Sequence, residues 1–185
     1  MTTLPSNHRS ASKIVVRSLS PRATRGVLTY GNLSFPCVLG FNGRRVDKRE
    51  GDNASPIGTF ALRSARYRPD KLLRPRTGLT IRPTQRDDGW CDTPRDRNYN
   101  RPVRLPYPAR CEKLWRDDGL YDAMIILDHN ERPRVHGGGS AVFIHIARPG
   151  MTPTEGCIAL ERHHLLRLLE AIGSQPSVVQ IVIPA

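Results

Sequence analysis

Val142-Phe-Ile-His-Ile-Ala-Arg-Pro-Gly-Met-Thr-Pro-Thr-Glu-Gly-Cys-Ile-Ala-Leu160 changes character twice along its length. Val142 to Ile146 is β-branched and aromatic and reads as a strand carrying His145. Pro149, Gly150 and Pro153 then break regular structure, so Ala147 to Glu155 reads as a loop. The loop turns back and presents Thr154-Glu-Gly-Cys157 ahead of a second apolar run. Short strands joined by such loops predict a mostly-β chain.

The same stretch carries the candidate chemistry. A cysteine attacks as its thiolate and needs a nearby base, and histidine suits because it titrates near neutrality. Cys157 is therefore a candidate nucleophile and His145 a candidate base. Twelve residues separate them, enough for a strand, a turn and a return. Gly156 lets the backbone approach a substrate closely, and the Cys157 N–H with a neighbour could form an oxyanion hole. Spacing alone leaves plainer readings open. A buried cysteine is often a small hydrophobe, and a strand histidine is often a satisfied core residue.

Outward from this segment, Ser12 to Leu19 reads as a strand and Gly26 to Gly40 as a hairpin turning at Gly31-Asn32. Phe41 to Gly58 is a polar loop, and Thr59 to Arg63 and Asp122 to Leu127 are further strands. Leu165, Leu168, Leu169 and Ile172 recur at helical spacing, with Gly173 placed to cap the helix that begins near His163 and His164. Val178 to Ile183 closes the chain as a strand. Arg66 to Pro108 reads as a long Arg/Pro-rich loop insertion, in which Trp90 and Tyr99 with neighbouring arginines form a lid over substrate or a structural plug. The expectation is a single β-rich α+β domain over 12–185, a β-sandwich with one or two helices, with residues 1–11 as a flexible N-terminus.

The 185 residues carry a formal charge of +12, which draws the chain to polyanions. The arginines are dispersed, so a solvated basic surface accounts for the charge as well as a binding patch does. No apolar stretch approaches the ~20 residues of a membrane span, so no transmembrane segment is expected. Met1 to Ser12 lacks the apolar core of a secretory leader. Cys37, Cys91, Cys111 and Cys157 form no CxxC pair. If Cys157 stays a thiol, at most one disulfide can form, and Cys91 with Cys111 is the pairing to consider. His129, His136, His145 and Cys157 have no metal-ligand spacing such as HExxH, so no metal and no cofactor are expected.

Two separated motifs resemble the L,D-transpeptidase (YkuD) catalytic-domain family of peptidoglycan enzymes. The family has a histidine at a strand end, a loop, then Ser/Thr-His-Gly-Cys and an apolar residue; His145, Thr154, Gly156, Cys157 and Ile158 match. It also has an upstream Gly-Asp-x-x-Thr-Pro-x-Gly-x-Phe-like element. This chain has Gly51-Asp-Asn-Ala-Ser-Pro-Ile-Gly-Thr-Phe60, with Ser55 in the threonine place. The chain departs from the family at Glu155, where a histidine is usual, and at Ala159 and Leu160, where a polar residue is. Its His-to-Cys spacing is also shorter. These departures resemble a compact subgroup that joins L-Ala of one stem to diaminopimelate of another.

The resemblance implies a β-sandwich and ping-pong acyl transfer between peptidoglycan stem peptides, serving cell-wall biogenesis and cell shape. Cys157 would be the nucleophile and His145 the base, with Thr154, Glu155 and Gly156 orienting. Arg148, Trp90 and Tyr99 would be substrate contacts. It implies acylation by carbapenems and a periplasmic location. His129 is a rival base at a strand end. Glu155 could orient a base, meet a substrate amine or be a surface residue. Competing functions are a carboxypeptidase or endopeptidase on muropeptides, or a non-enzymatic basic module for cell wall or nucleic acid. The latter lacks a nucleic-acid motif, so no nucleic-acid partner is expected.

Overall fold

The structure is a computed structural model and describes residues 12–174 and 177–182. The expected flexible N-terminus, 1–11, lies outside the described residues. In chain order the elements are β1 (Ser12–Arg17), β2 (Arg25–Tyr30), β3 (Leu33–Val38), β4 (Arg44–Arg45), β5 (Ser55–Pro56), β6 (Gly58–Tyr67) and β7 (Ile81–Pro83). There follow β8 (Asp88–Cys91), β9 (Arg101–Arg104), β10 (Cys111–Lys113), β11 (Ala123–Leu127), β12 (Phe143–Ile146), β13 (Ile158–Leu160), α1 (Arg162–Ala171) and β14 (Ser177–Ile181). The fold is mostly strands with one helix among the described residues, within the expected class. No helix there is long and apolar enough to cross a membrane.

One sheet runs β11-β12-β13-β3-β2-β1-β14-β6-β7, and β11 also pairs with β6, so the sheet closes on itself like a barrel. The long β6 makes closure possible. Its Gly58–Ala61 end pairs with β14 and its Leu62–Tyr67 end with β11. Gly31, at positive φ, turns β2 into β3 as the Gly-Asn pair predicts.

β11 is buried on both faces, as its unbroken apolar run implies. Alternation sends Ala123, Ile125 and Leu127 into the main core, with Leu165, Leu168 and Leu169 of α1. Met124 and Ile126 face a second cluster with Trp90, Leu114, Leu120, Tyr121 and Phe143. On β12 the same alternation puts Ile144 and Ile146 in the main core and leaves Phe143 and His145 on the other face. Period-two geometry thus selects the face on which His145 stands.

The structure departs from the sequence reading in three places. Arg66–Pro108 is not one unbroken loop: β6 runs to Tyr67, β7 pairs with it, and β8 and β9 join β10 in a three-stranded sheet, with turns and irregular chain between them. Of its prolines, Pro83 ends β7 and Pro102 lies in β9, an edge strand, where a missing N–H is tolerated. The loop between His145 and Cys157 turns back to the start of β12, but the strand that follows makes no hairpin with it; β12 and β13 run parallel. The connecting loop crosses instead by way of β3's end, where Thr154 N–H bonds the Leu39 carbonyl and Phe41 N–H bonds the Thr154 carbonyl. Finally, α1 ends at Ile172 in extended backbone, not on a left-handed Gly173. The Gly78 N–H takes the Ile172 carbonyl at 2.7 Å, and Gly78 lies too close to Gly173 for any side chain.

Candidate active site

Cys157 stands one residue before β13, beside Phe143 of β12, and His145 lies one strand step further, opposite Ala159. The two side chains are on one face, roughly 7 Å apart along the strands by β geometry. Both line a cavity of about 560 Å³. Lys48, Arg110, Arg116 and Arg148 line it with Glu50, Asp92, Glu112 and Glu155, so it offers both signs of charge to a ligand.

Cys157 keeps part of its surface open to the cavity and is otherwise enclosed. Its thiol donates to the Ala141 carbonyl at 3.2 Å, and its sulfur accepts the Phe143 N–H at 3.3 Å. Ala141 holds that carbonyl from a left-handed backbone (φ 51°), an uncommon conformation for alanine. Burial pushes the thiol up to about 12; the Phe143 N–H and Lys48 pull against this, and Glu112 and Glu155 add to it.

His145 donates from Nδ1 to the Ile146 carbonyl at 2.8 Å, since a carbonyl can only accept. Nε2 is then the free acceptor. The ring packs edge-on against Tyr121, with centroids 5.3 Å apart. Burial drops the imidazole to about 4, so it is neutral at physiological pH. The resting site is thus a thiol and a neutral imidazole.

The loop before Cys157 is held by its own side chains. Thr154 Oγ1 donates to the Cys157 carbonyl at 2.6 Å and accepts the Gly156 N–H at 3.2 Å. Ser55 Oγ donates to the same carbonyl at 3.1 Å and accepts the buried Gly40 N–H at 2.9 Å. Gly156 has φ 137°, and a Cβ there would stand 2.9 Å from the Ala54 carbonyl oxygen. Glycine is required on both counts. Asp52 organises the turn behind Ser55, accepting from Lys48 Nζ and from the Arg49 and Ala54 N–H groups. Burial alone would raise its carboxyl, but these donors hold it below the usual range.

Glu155 is exposed at the cavity, and Arg148 lines it beside His145. Three other candidates lie elsewhere. His129 donates from Nε2 to the Gly138 carbonyl (3.0 Å), packs edge-on against Phe60 and lines a separate cavity. Trp90 is buried, bonds Asn100 Oδ1 at 2.9 Å and meets Phe143 edge-on. Tyr99 is fully buried and donates to Glu50 Oε2 at 2.6 Å, a carboxylate that lines the cavity. Neither aromatic is a lid; both are packed interior. Among the described residues, side chains near enough to share a metal ion are Glu161, His163 and His164, none of which lines the cavity.

Lys48, Glu112, Arg116 and Tyr121 escaped the sequence reading. Tyr121 donates to Glu112 Oε1 at 3.1 Å, and Arg116 bonds the same oxygen at 2.9 Å. Burial raises the Glu112 carboxyl, with Arg116 opposing. No motif marks these residues, which come from loops and the small sheet. For Ser55 a signal existed in its threonine-like place in the upstream motif.

The L,D-transpeptidase catalytic-domain model matches residues 14–181. No curated protein matches the chain. Among solved structures, Mycobacterium tuberculosis L,D-transpeptidase 1 is similar at a TM-score of 0.40 and 12% identity, over 91% of this chain and 58% of that one. The chain therefore spans less than two thirds of that structure's length.

Proposed function

The chain belongs to the L,D-transpeptidase (YkuD) catalytic-domain family, and on that footing we propose that it is a peptidoglycan acyltransferase with Cys157 as nucleophile. The observation that carries this is the shared cavity. Cys157 and His145 face it together, and Ser55 and Thr154 fix the Cys157 backbone from behind.

The Cys157 sulfur attacks a stem-peptide carbonyl and forms a thioester. In the substrate complex, where the two side chains draw together, His145 Nε2 takes the thiol proton and delivers it to the departing amine. The Cys157 N–H, which meets no acceptor among the described residues, is available to the developing oxyanion. The diaminopimelate side-chain amine of a second stem then resolves the thioester and leaves a cross-link. Diaminopimelate carries ammonium and carboxylate groups, which suits a cavity of mixed charge, with Glu155 toward the amine and Arg148 toward a carboxylate. The cross-link is of the 1-3 type, L-Ala to diaminopimelate. The substrate puts the enzyme in the periplasm, acting in cell-wall biogenesis and cell shape, with 12–185 as one catalytic domain.

Incubation with purified muropeptides tests the reading. Cross-linked dimers that vanish in Cys157→Ser are expected. Trimmed monomers without dimers would make the protein a hydrolase, and products unchanged by Cys157→Ser would end the enzyme reading. Intact-mass measurement with a carbapenem gives a second readout, an adduct on Cys157 absent from Cys157→Ser.

A further inference from the structure

Two cysteines outside the Cys157 cavity stand directly opposite each other. Cys91 of β8 and Cys111 of β10 are register partners in an antiparallel pair. The ladder's phase fixes which kind of partners they are. Leu114 N–H bonds the Asp88 carbonyl at 3.0 Å, and Asp92 N–H bonds the Arg110 carbonyl at 3.4 Å. Hydrogen-bonded and non-hydrogen-bonded pairs alternate along such a ladder. With Asp88–Leu114 and Asp92–Arg110 bonded, Cys91–Cys111 falls on a non-hydrogen-bonded position. Cα atoms there lie ~4.5 Å apart with side chains closest, within the span a disulfide accepts.

We infer that Cys91 and Cys111 are the site of a cross-strand disulfide, formed when the chain meets a disulfide-bearing oxidant. Cys111 is half-buried and Cys91 fully buried, so Cys111 reacts first. Its thiolate attacks one sulfur of the donor disulfide and releases one donor thiol. The Cys91 thiolate then displaces the second donor thiol from the mixed disulfide. Two protein thiols become one disulfide, and the donor leaves as two thiols carrying both protons. Cys37 lies in the main core on β3, and Cys157 belongs to the other cavity.

The cross-link bears on the cavity through its neighbours. Asp92 and Arg110, next in sequence to the two cysteines, pair at 3.1 Å and line the Cys157 cavity with Glu112. A bond between Cys91 and Cys111 fixes the strand ends that present these groups. The inference goes beyond the catalytic reading and does not depend on it.

The 185-residue chain is treated with glutathione disulfide under native conditions, alkylated without reduction, digested and analysed by mass. The expected result is a loss of about 2 Da from the intact chain, one atom of hydrogen per thiol, and a peptide pair joined through Cys91 and Cys111. Cys111→Ser abolishes the pair; Cys157→Ser leaves it. The oxidised form should melt higher by roughly 5–10 °C. Recovery of Cys91 and Cys111 as separate alkylated or glutathionylated residues, or a link through Cys157, would overturn the inference. The readout is mass rather than turnover, so its failure is distinct from failure of the transpeptidase reading.

Discussion

Ser55 Oγ donates to the Cys157 carbonyl at 3.1 Å across 102 residues of sequence. The bond joins the Gly51–Phe60 motif to the Cys157 loop. Ser55 is fully buried and also takes the Gly40 N–H. One hydroxyl therefore ties three segments together.

Ser55→Ala removes that tie and leaves the Gly40 N–H without its acceptor. The expected cost is ~1–3 kcal/mol of stability, read as a lower melting temperature with slower acylation of Cys157. Ser55→Thr keeps the hydroxyl and should retain most of both. Equal rates in Ser55→Ala and the parent chain would show that the bond does not position Cys157.

Gly156→Ala forces a side chain into backbone at φ 137° and against the Ala54 carbonyl oxygen. Acylation should fall at least about tenfold, with a melting-temperature drop of a few degrees, as backbone strain of this kind costs ~1–3 kcal/mol. An unchanged acylation rate in carbapenem mass kinetics would refute the requirement for glycine.

Burial holds His145 at about 4 in the folded chain, below the 6.5 of an ordinary imidazole. Between these values the unfolded chain binds a proton that the folded chain refuses, so stability rises with pH across this window and is lost as pH falls through it. The contribution is about 3 kcal/mol from pH 6.5 down to 4. Chemical denaturation across that range should show a shallower slope in His145→Asn than in the parent chain. Parallel slopes would contradict the buried neutral state.

With its thiol at about 12, free Cys157 should react slowly with iodoacetamide at neutral pH. The rate should climb about tenfold per pH unit between pH 7 and 10, following the thiolate fraction. A rate that levels off near neutrality would show a resting thiolate–imidazolium pair instead.

Lys48 lowers the Cys157 thiol and pairs with Asp52, both side chains nearly buried. Lys48→Met should slow acylation and leave Asp52 with its two backbone donors alone, at ~1–3 kcal/mol. Adding Asp52→Asn should restore stability while acylation stays slow. Joint recovery of both would assign Lys48 a purely structural role.

Much of this was legible in the sequence because it depends on local pattern. Period-two alternation and Gly-Asn turn chemistry placed the hairpin, and the strands around His145 and Ala123–Leu127. Helical spacing placed α1 within two residues of its observed start. The two motifs named Cys157, His145 and Thr154 as candidates because their residue types and order are themselves the signal. The small sheet was hidden by its prolines, which depress any strand reading although edge and end positions tolerate them. For Trp90 and Tyr99 the sequence leaves a lid and a structural plug open, and the small sheet makes both interior, as a plug would be.

The sequence by itself determined the strands, the helix and the residue types that could react, since these follow from neighbours along the chain. Only the tertiary structure decided what surrounds them. The parallel run of β12 and β13 sets Cys157 beside Phe143 and one step from His145. Folding brings Ser55 under the Cys157 carbonyl, Lys48 and Glu112 to its cavity, and Cys111 opposite Cys91. Burial, which exists only after folding, raises the thiol and lowers the imidazole. Protonation states come from desolvation and from partners distant in sequence, so no local pattern encodes them.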